Sequence, residues 1–391
     1  MLISLLPIVE MGGSVTPGRS LRICLVSAAY RPFPSGVSEH VYHLKKELEL
    51  RGHSVCVLTS GYNAPSGDEL GITRLGYVVI LPANDSHFTL SFGLDLPRRV
   101  RDYFRRHRFD VVHCHGLFPP EIAYWAIRYC TSPVVVTFHT LSRQFPSFVR
   151  AGFRVLFRQL LSRIRARIAV SRAGRRWAEG WVPGDYDVIP NGVDTVRFCP
   201  SVPPAPVFAD GRPAVLYVGR IDERKGLPVL MRALPAVVRA VPDVKLVVVG
   251  SGPLGAECLR MGRKSGVLEH VVFCGAVSPK ALPGFYSGCT VYASPALGGE
   301  AMGIVLLEAM ASGRPVVASR IPGYDEVVVD GTNGVLVPAG DPDAWGQVLV
   351  HLLHSPSERT RLSANAMQRA QDFDWRVVTT RIEQVYERIL S

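Results

Sequence analysis

Apolar residues fall along this chain in two alternating rhythms. The runs RICLVSAAY, VCVLTS, VVHCHG, VVVTFHT, IAV and DVIP are short and continuously apolar, the length of buried strands. Between them lie longer stretches with apolar residues at helical spacing, such as the segment after PFPSG that reads VSEHVYHLKKELELRGH. Strands alternating with helices predict a parallel, doubly wound sheet. The rhythm breaks near Phe198 in CPSVPPAPVFADGRP, a Pro-rich stretch that reads as a linker. It resumes in a second series: AVLYVG, KLVVVG, HVVFCG, TVYASP, PVVAS and GVLVP. An amphipathic helix from about Trp375 to Leu390 closes the chain. The pattern divides it into a loose leader (1–20), a Rossmann-like domain (21–198), a linker (199–213), a second Rossmann-like domain (214–374) and a final helix (375–391). Two such domains face each other across a cleft at their strand C-termini, where open α/β sheets bind ligands.

One stretch carries the most chemistry. From Val291 to Ser312 the chain reads VYASPALGGEAMGIVLLEAMAS: an apolar run, then the pair Gly298-Gly299, then Glu300, then a helical pattern from about Gly303. A Gly-rich loop at a helix start presents free N–H groups beside the positive end of the helix dipole, a seat for phosphate. Glu300 in the loop and Glu308 in the helix flank that seat, and carboxylates accept hydrogen bonds from sugar hydroxyls. A phosphate between two polyols is a nucleotide sugar. Arg220 and Lys225 follow the strand AVLYVG on a loop that enters the same cleft, placed to neutralise a diphosphate.

Composition narrows the class. A chain of 391 residues, 47% hydrophobic and 20% charged, can bury the cores of two domains. It has no apolar run long enough to cross a bilayer. The opening MLISLLPIVE lacks a basic start and is closed by Glu10, so it is not read as a signal peptide, and Met11 is an alternative start. Eight cysteines without a CxxC pair read as buried thiols of a reducing compartment. The net charge of +11 predicts an anionic partner. Arg98, Arg99, Arg101, Arg105, Arg106 and Arg108 crowd one predicted helix, opposite Val100, Tyr103 and Phe104. From Arg150 to Arg167 there is no acid, and Phe153, Phe157, Leu160 and Ile164 share a helical face; this segment suits either anionic lipid or a core-packed helix with a solvated rim. No nucleic-acid-binding motif is present.

Three other patterns are weighed and set aside. Gly250, Gly252 and Gly255 follow KLVVVG like a dinucleotide fingerprint, but the next strand ends without the acidic residue a ribose needs, which leaves NAD binding the remote alternative. The pairs Asp185/Asp187, Asp341/Asp343 and Asp372/Asp374 match a metal-binding DxD string yet lie in polar connections. His113 and His115 share one strand face, but no third ligand is evident, so no metal is expected.

Gly36 in PSGVSEH, His139 in VTFHT, IPNGVD at 189–194, VGRIDERKG at 218–226 and the spaced pair Glu300/Glu308 together resemble the retaining glycosyltransferases of family 4, from about Leu21 onward. ALGGEAMGIVLLEAMASG, RIAVSRAGRRW and VIPNGVD are similar to phosphatidylinositol mannosyltransferases within it. The resemblance implies a GT-B fold whose last helix returns to the first domain. It implies catalytic roles for His139, Arg220, Lys225 and Glu300, with His139 orienting sugar and diphosphate. The nucleotide sugar would be held by Gly36, Val277, Met302, Gly303, Ile304 and Glu308, with Glu308 on the ribose and Val277 and Ile304 near the base. Relatives usually carry Phe or a similar residue where Met302 stands.

Arg98, Arg99 and Arg101 match the family's basic membrane-binding helix, although Asp102, Thr89 and Ser91 depart from its pattern. The expected donor is GDP-mannose, the acceptor a lipid such as phosphatidylinositol, and the place the cytoplasmic face of a membrane, with no cofactor or obligatory metal. The alternative is a UDP- or other nucleotide sugar used on a polysaccharide or another lipid-linked acceptor.

Overall fold

The structure, a computed structural model, describes residues 19–33, 35–62, 70–83, 86–117, 121–141 and 145–391. The predicted leader up to residue 18, with Met11, lies outside them.

The first sheet comprises β1 (Arg22–Ser27), β2 (Ser54–Gly61), β3 (Ile72–Ala83), β4 (Ser86–Phe92), β5 (Val111–His115), β6 (Val134–Phe138), β7 (Ile164–Ala169) and β8 (Asp187–Val188). Their order is β4-β3-β2-β1-β5-β6-β7-β8, parallel except where β4 returns antiparallel to β3. The second comprises β9 (Ala214–Val218), β10 (Lys245–Val249), β11 (Val271–Gly275), β12 (Val291–Ser294), β13 (Val316–Ser319) and β14 (Val335–Val337), in the order β11-β10-β9-β12-β13-β14. Strand order reverses at β1/β5 in one sheet and at β9/β12 in the other. Such switch points open a crevice beyond the strand C-termini, and here the two crevices share one cavity.

Alternate residues of β1 serve opposite cores, as the two-residue period of a strand requires. Cys24 and Val26 pack with Val100, Tyr103 and Phe104 of the helix Leu96–Arg106, and with the helices Ile122–Tyr129 and Arg172–Glu179. Ile23 and Leu25 pack with the helix Gly36–Leu50 and with Trp375, Val378, Ile382 and Tyr386 of the last helix, Trp375–Leu390. That helix, last in sequence, therefore covers the first sheet. It is also tied there by Arg51 to Glu383 and by the Tyr386 hydroxyl, 2.7 Å from His113 Nδ1.

Two sequence readings gain detail. The Pro-rich stretch 199–213 is no free tether: Ala205 and Phe208 are buried in the second core, and Ala205 N donates to Gly284 O at 2.8 Å. Burying an aromatic ring outweighs the extended preference of the flanking prolines. The basic segment 150–167 is no single helix either. A helix Ser147–Leu156 gives way to a short turn, and Ile164 begins β7, where the alternation in IRARIA is that of a strand. Phe153 and Phe157 pack on the core and Leu160 is buried, so of the two readings of this apolar set the core-packed one holds; Phe148, Val155 and Leu156 are exposed instead.

Candidate active site

The first-domain wall is built at the C-terminal ends of β1, β5 and β6. Ser35 caps the helix Gly36–Leu50, its Oγ accepting from Ser38 N at 3.1 Å, which puts Gly36 at the helix entrance. A Cβ on Gly36 would lie 3.4 Å from Ile304 Cδ1 of the second domain, an ordinary contact, so the two walls approach each other here. One helical turn on, His40 is buried and its Nδ1 lies 3.0 Å from Asn191 Oδ1. His139 follows β6, and its Nε2 is 3.0 Å from Nδ1 of His115 at the end of β5. The His40 ring centroid stands 4.6 Å from that of His139.

Burial, reinforced by neighbouring imidazoles, lowers the pKa of His40 to about 3 and drives those of His115 and His139 well below the ordinary value. His139 is thus a neutral hydrogen-bonding group. His113 is engaged behind this wall, 2.7 Å from both Tyr386 Oη and Thr137 Oγ1.

The second-domain wall is built from the loops after β9 and β12. Asp222 Oδ1 accepts from Lys225 N at 3.0 Å and folds 220–226 into a tight turn, with Arg220 Nε 3.3 Å from Asp222. Gly226 takes a positive φ of 72°, and a Cβ there would sit 2.0 Å from Pro295 O, so the two loops touch backbone to backbone. Lys225 Nζ lies 2.8 Å from Glu300 Oε1, and Arg224 pairs with the same oxygen. Burial alone would raise the pKa of Glu300, but attraction to Lys225 and Arg224 prevails and holds it below the usual range. Glu300 is therefore an ionised group shared by two cations. Two positive charges against one leave net positive charge facing the cavity.

Gly303 precedes the helix Ile304–Ala311 with φ of 84°, and a Cβ there would collide with Tyr324 Cε1 at 2.4 Å. Met302 is buried, its Sδ accepting from Asn191 N at 3.1 Å, which joins this loop to IPNGVD. Glu308 accepts from the Tyr286 hydroxyl at 2.7 Å, and burial pushes its pKa up to about 7.

Gly36, His139, Arg220 and Lys225 line one cavity of about 690 Å³, together with Arg224, His115 and Glu121. Glu300 reaches it through its ion pairs, and Ile304 and Met302 stand at contacts between the walls. Glu308 and Val277 lie outside that lining; Val277 packs at the edge of the second core. Arg98, Arg99 and Arg101 are exposed on the outer side of their helix, each with an aspartate, Asp95 or Asp102, 3.8–4.0 Å away.

Sequence reasoning missed His40, Asn191, Arg224 and the buried, cavity-lining Glu121. The spacing of Gly36 and His40, one helical turn apart, was the available signal for the first. It found no third ligand for the pair His113 and His115; the structure instead sets His40 and His139 beside His115.

The glycines after β10 have a packing role: a Cβ on Gly250 would fall 1.9 Å from Gly219 O, and on Gly252 2.3 Å from Ile221 O. The DxD strings are also engaged: Asp341 caps its helix, Asp187 pairs with Arg388, and Asp374 accepts from Thr195 and Arg376.

Residues 34–197 match the family model Glycosyltransferase Family 4, and residues 212–355 match the model Glycosyl transferases group 1. A phosphatidyl-myo-inositol mannosyltransferase of Mycobacterium leprae (strain TN) is 37% identical over 378 residues, covering 95% of this chain and 98% of the relative. This chain is a family 4 glycosyltransferase. A GDP-mannose-dependent alpha-(1-6)-phosphatidylinositol monomannoside mannosyltransferase of Mycolicibacterium smegmatis is 36% identical over 230 residues, 55% of this chain and 60% of that protein. Among solved structures, a glycosyltransferase from Rickettsia africae ESF-5 superposes with a TM-score of 0.77 at 17% identity, covering 96% of this chain and 100% of the other. Anabaena HepE, solved with UDP and glucose, gives 0.72 at 18% identity over 94% and 100%. The fold of this family 4 enzyme is GT-B.

Proposed function

We propose that this enzyme transfers mannose from GDP-mannose to a phosphatidylinositol-type lipid, with retention, on the cytoplasmic surface of a membrane. The carrying observation is the cation cluster Arg220, Arg224 and Lys225 on the cavity that also holds His139 and the helix entrance at Gly36. Mannose and the lipid class are in the names of relatives that match along nearly the whole chain, and GDP-mannose is in the name of one that matches 55% of it.

As the sugar–phosphate bond lengthens, negative charge grows on the diphosphate. Arg220, Arg224 and Lys225 meet it as charges already fixed on the cleft wall, Lys225 and Arg224 by Glu300 and Arg220 by Asp222. Glu300 keeps the two cations in place and turns toward sugar hydroxyls as phosphate oxygens take over its partners. His139, neutral, orients the sugar from the opposite wall. Glu308 takes the ribose hydroxyls. The acceptor hydroxyl attacks on the face the diphosphate leaves, and a diphosphate oxygen takes its proton. The arginine and lysine side chains supply the charge that a metal supplies elsewhere, so the reading includes no obligatory metal or other cofactor.

Lipid access is supported by one layer of the first domain. The helix Leu96–Arg106, with five exposed arginines, and the helix Ser147–Leu156, with exposed Phe148, Val155 and Leu156, lie over the same sheet face. Basic and apolar side chains on one surface suit anionic lipid. The test is transfer of labelled sugar from GDP-mannose and UDP sugars to phosphatidylinositol vesicles and to soluble glycans. Product on phosphatidylinositol from GDP-mannose alone is expected. Product only from a UDP sugar, or only on a glycan, overturns the reading.

A further inference from the structure

Three imidazoles meet on the first-domain wall, and sugar transfer calls on only one. Among the described residues, His40, His115 and His139 are the group of potential ligands whose donor atoms all lie within 4.8 Å of one another. His40 and His115 are almost completely buried, and Nε2 of His40 has no hydrogen-bond partner. Buried ring nitrogens normally find a partner, so this orphan inside the cluster calls for an occupant.

The geometry suits a metal ion. Zinc binds imidazole nitrogen at about 2.0–2.1 Å, so ligating nitrogens stand roughly 3.3 Å apart around a tetrahedral ion. His115 Nδ1 and His139 Nε2 are already 3.0 Å apart. The Asn191 carbonyl oxygen beside His40 Nδ1 fixes the proton there and leaves Nε2 as the free lone pair, the outer-shell arrangement typical of metal-binding histidines. Because His115 and His139 line the cavity, a fourth coordination position opens toward water or a substrate oxygen. An all-imidazole set favours zinc, copper or nickel over magnesium, calcium and manganese.

We propose that His40, His115 and His139 bind a borderline divalent transition-metal ion such as Zn2+, separate from the Arg220/Lys225 diphosphate cluster, and that this ion inhibits transfer by withdrawing His139 from the sugar. The binding half stands on geometry alone; the inhibitory half rests on the proposed function.

The test uses full-length, untagged protein stripped with a chelator. It is titrated with Zn2+ by calorimetry and with Co2+ by visible absorption, beside Mg2+ as control. One zinc per chain is expected, with a tetrahedral Co2+ spectrum and no response to Mg2+. His40→Gln and His115→Gln, checked for folding by circular dichroism, should each weaken zinc binding by about tenfold or more. Nitrogen-15 NMR of the wild-type histidine rings supplies the same answer should a variant misfold: three imidazoles should shift on adding zinc.

Absence of zinc binding overturns the proposal. So does binding that survives both substitutions but is lost in His351→Ala, since His351 and Glu358 form an exposed pair at 3.1 Å. Zinc should also lower the transfer rate of wild type in competition with GDP-mannose. Cluster binding without inhibition overturns the inhibitory half. Absence of transfer in metal-free protein is a failure of the mannosyltransferase reading, and the binding measurements still decide the site.

Discussion

The Glu308 carboxyl offers the sharpest test of the donor site. It sits half-buried beside the Tyr286 hydroxyl, and burial lifts its pKa from 4.5 to about 7. A ribose held by this group needs the carboxylate, because the protonated form loses acceptor capacity. With a midpoint near 7, about nine in ten side chains are ionised at pH 8 and about one in eleven at pH 6, so affinity should fall about tenfold between them. GDP-mannose is the right probe, since its diphosphate, a diester, does not titrate in this range and GDP would. Binding is measured by calorimetry on wild type and on Glu308→Gln, which retains an acceptor for Tyr286.

Stability runs the other way. The folded-state pKa lies above the unfolded one, so ionisation costs stability as pH rises from about 4.5 to 7, in total on the order of 3 kcal/mol. The Gln variant should therefore melt higher than wild type at alkaline pH and equally near the acid end, while binding GDP-mannose poorly throughout. Equal wild-type affinity at both pH values, or undiminished binding by the variant, refutes the assignment.

Other side chains give independent tests. Lys225→Ala removes one of the two cations on Glu300 and should lower kcat by about 10²–10³-fold with little change in melting temperature, as loss of one charge-stabilising group does; an unchanged rate removes the diphosphate role. Replacing Arg98, Arg99 and Arg101 by serine should weaken sedimentation with anionic vesicles by up to about 100-fold, from about 1 kcal/mol per charge, whereas Asp102→Asn should strengthen it. Vesicle binding insensitive to both changes overturns the lipid-facing assignment. Gly303→Ala meets both a positive φ and a Cβ 2.4 Å from Tyr324, so it should destabilise the second domain by about 1–3 kcal/mol, read from denaturant unfolding.

What was legible in the sequence follows from the range of the interactions involved. Strand runs and helical spacings are local, so the parallel core of both sheets, the cleft and the loops after AVLYVG and TVYASP could be read directly, whereas β3 and its antiparallel partner β4 were not. His139, Arg220, Lys225 and Glu300 sit in motifs at strand ends, where fold class alone points to ligand. The failures are long-range. His40 and Asn191 are separated by 151 residues, and only the wrapping of the chain sets Nδ1 against Oδ1. Arg224 looked like one charge in a basic loop, yet it meets Glu300 from 76 residues away and leaves that carboxylate ionised but occupied. The segment 150–167 failed for another reason: a helical period through Phe153, Phe157, Leu160 and Ile164 runs on into the two-residue alternation of IRARIA, and β6 pairing decides where one ends. That His40 and His139 stand beside His115 was equally out of reach, because β5, β6 and the helix from Gly36 each supply one ring. A motif is found by adjacency in the chain, but this site is made by adjacency of strand ends. The side chains whose partners come from other strands are the ones whose roles the fold had to supply.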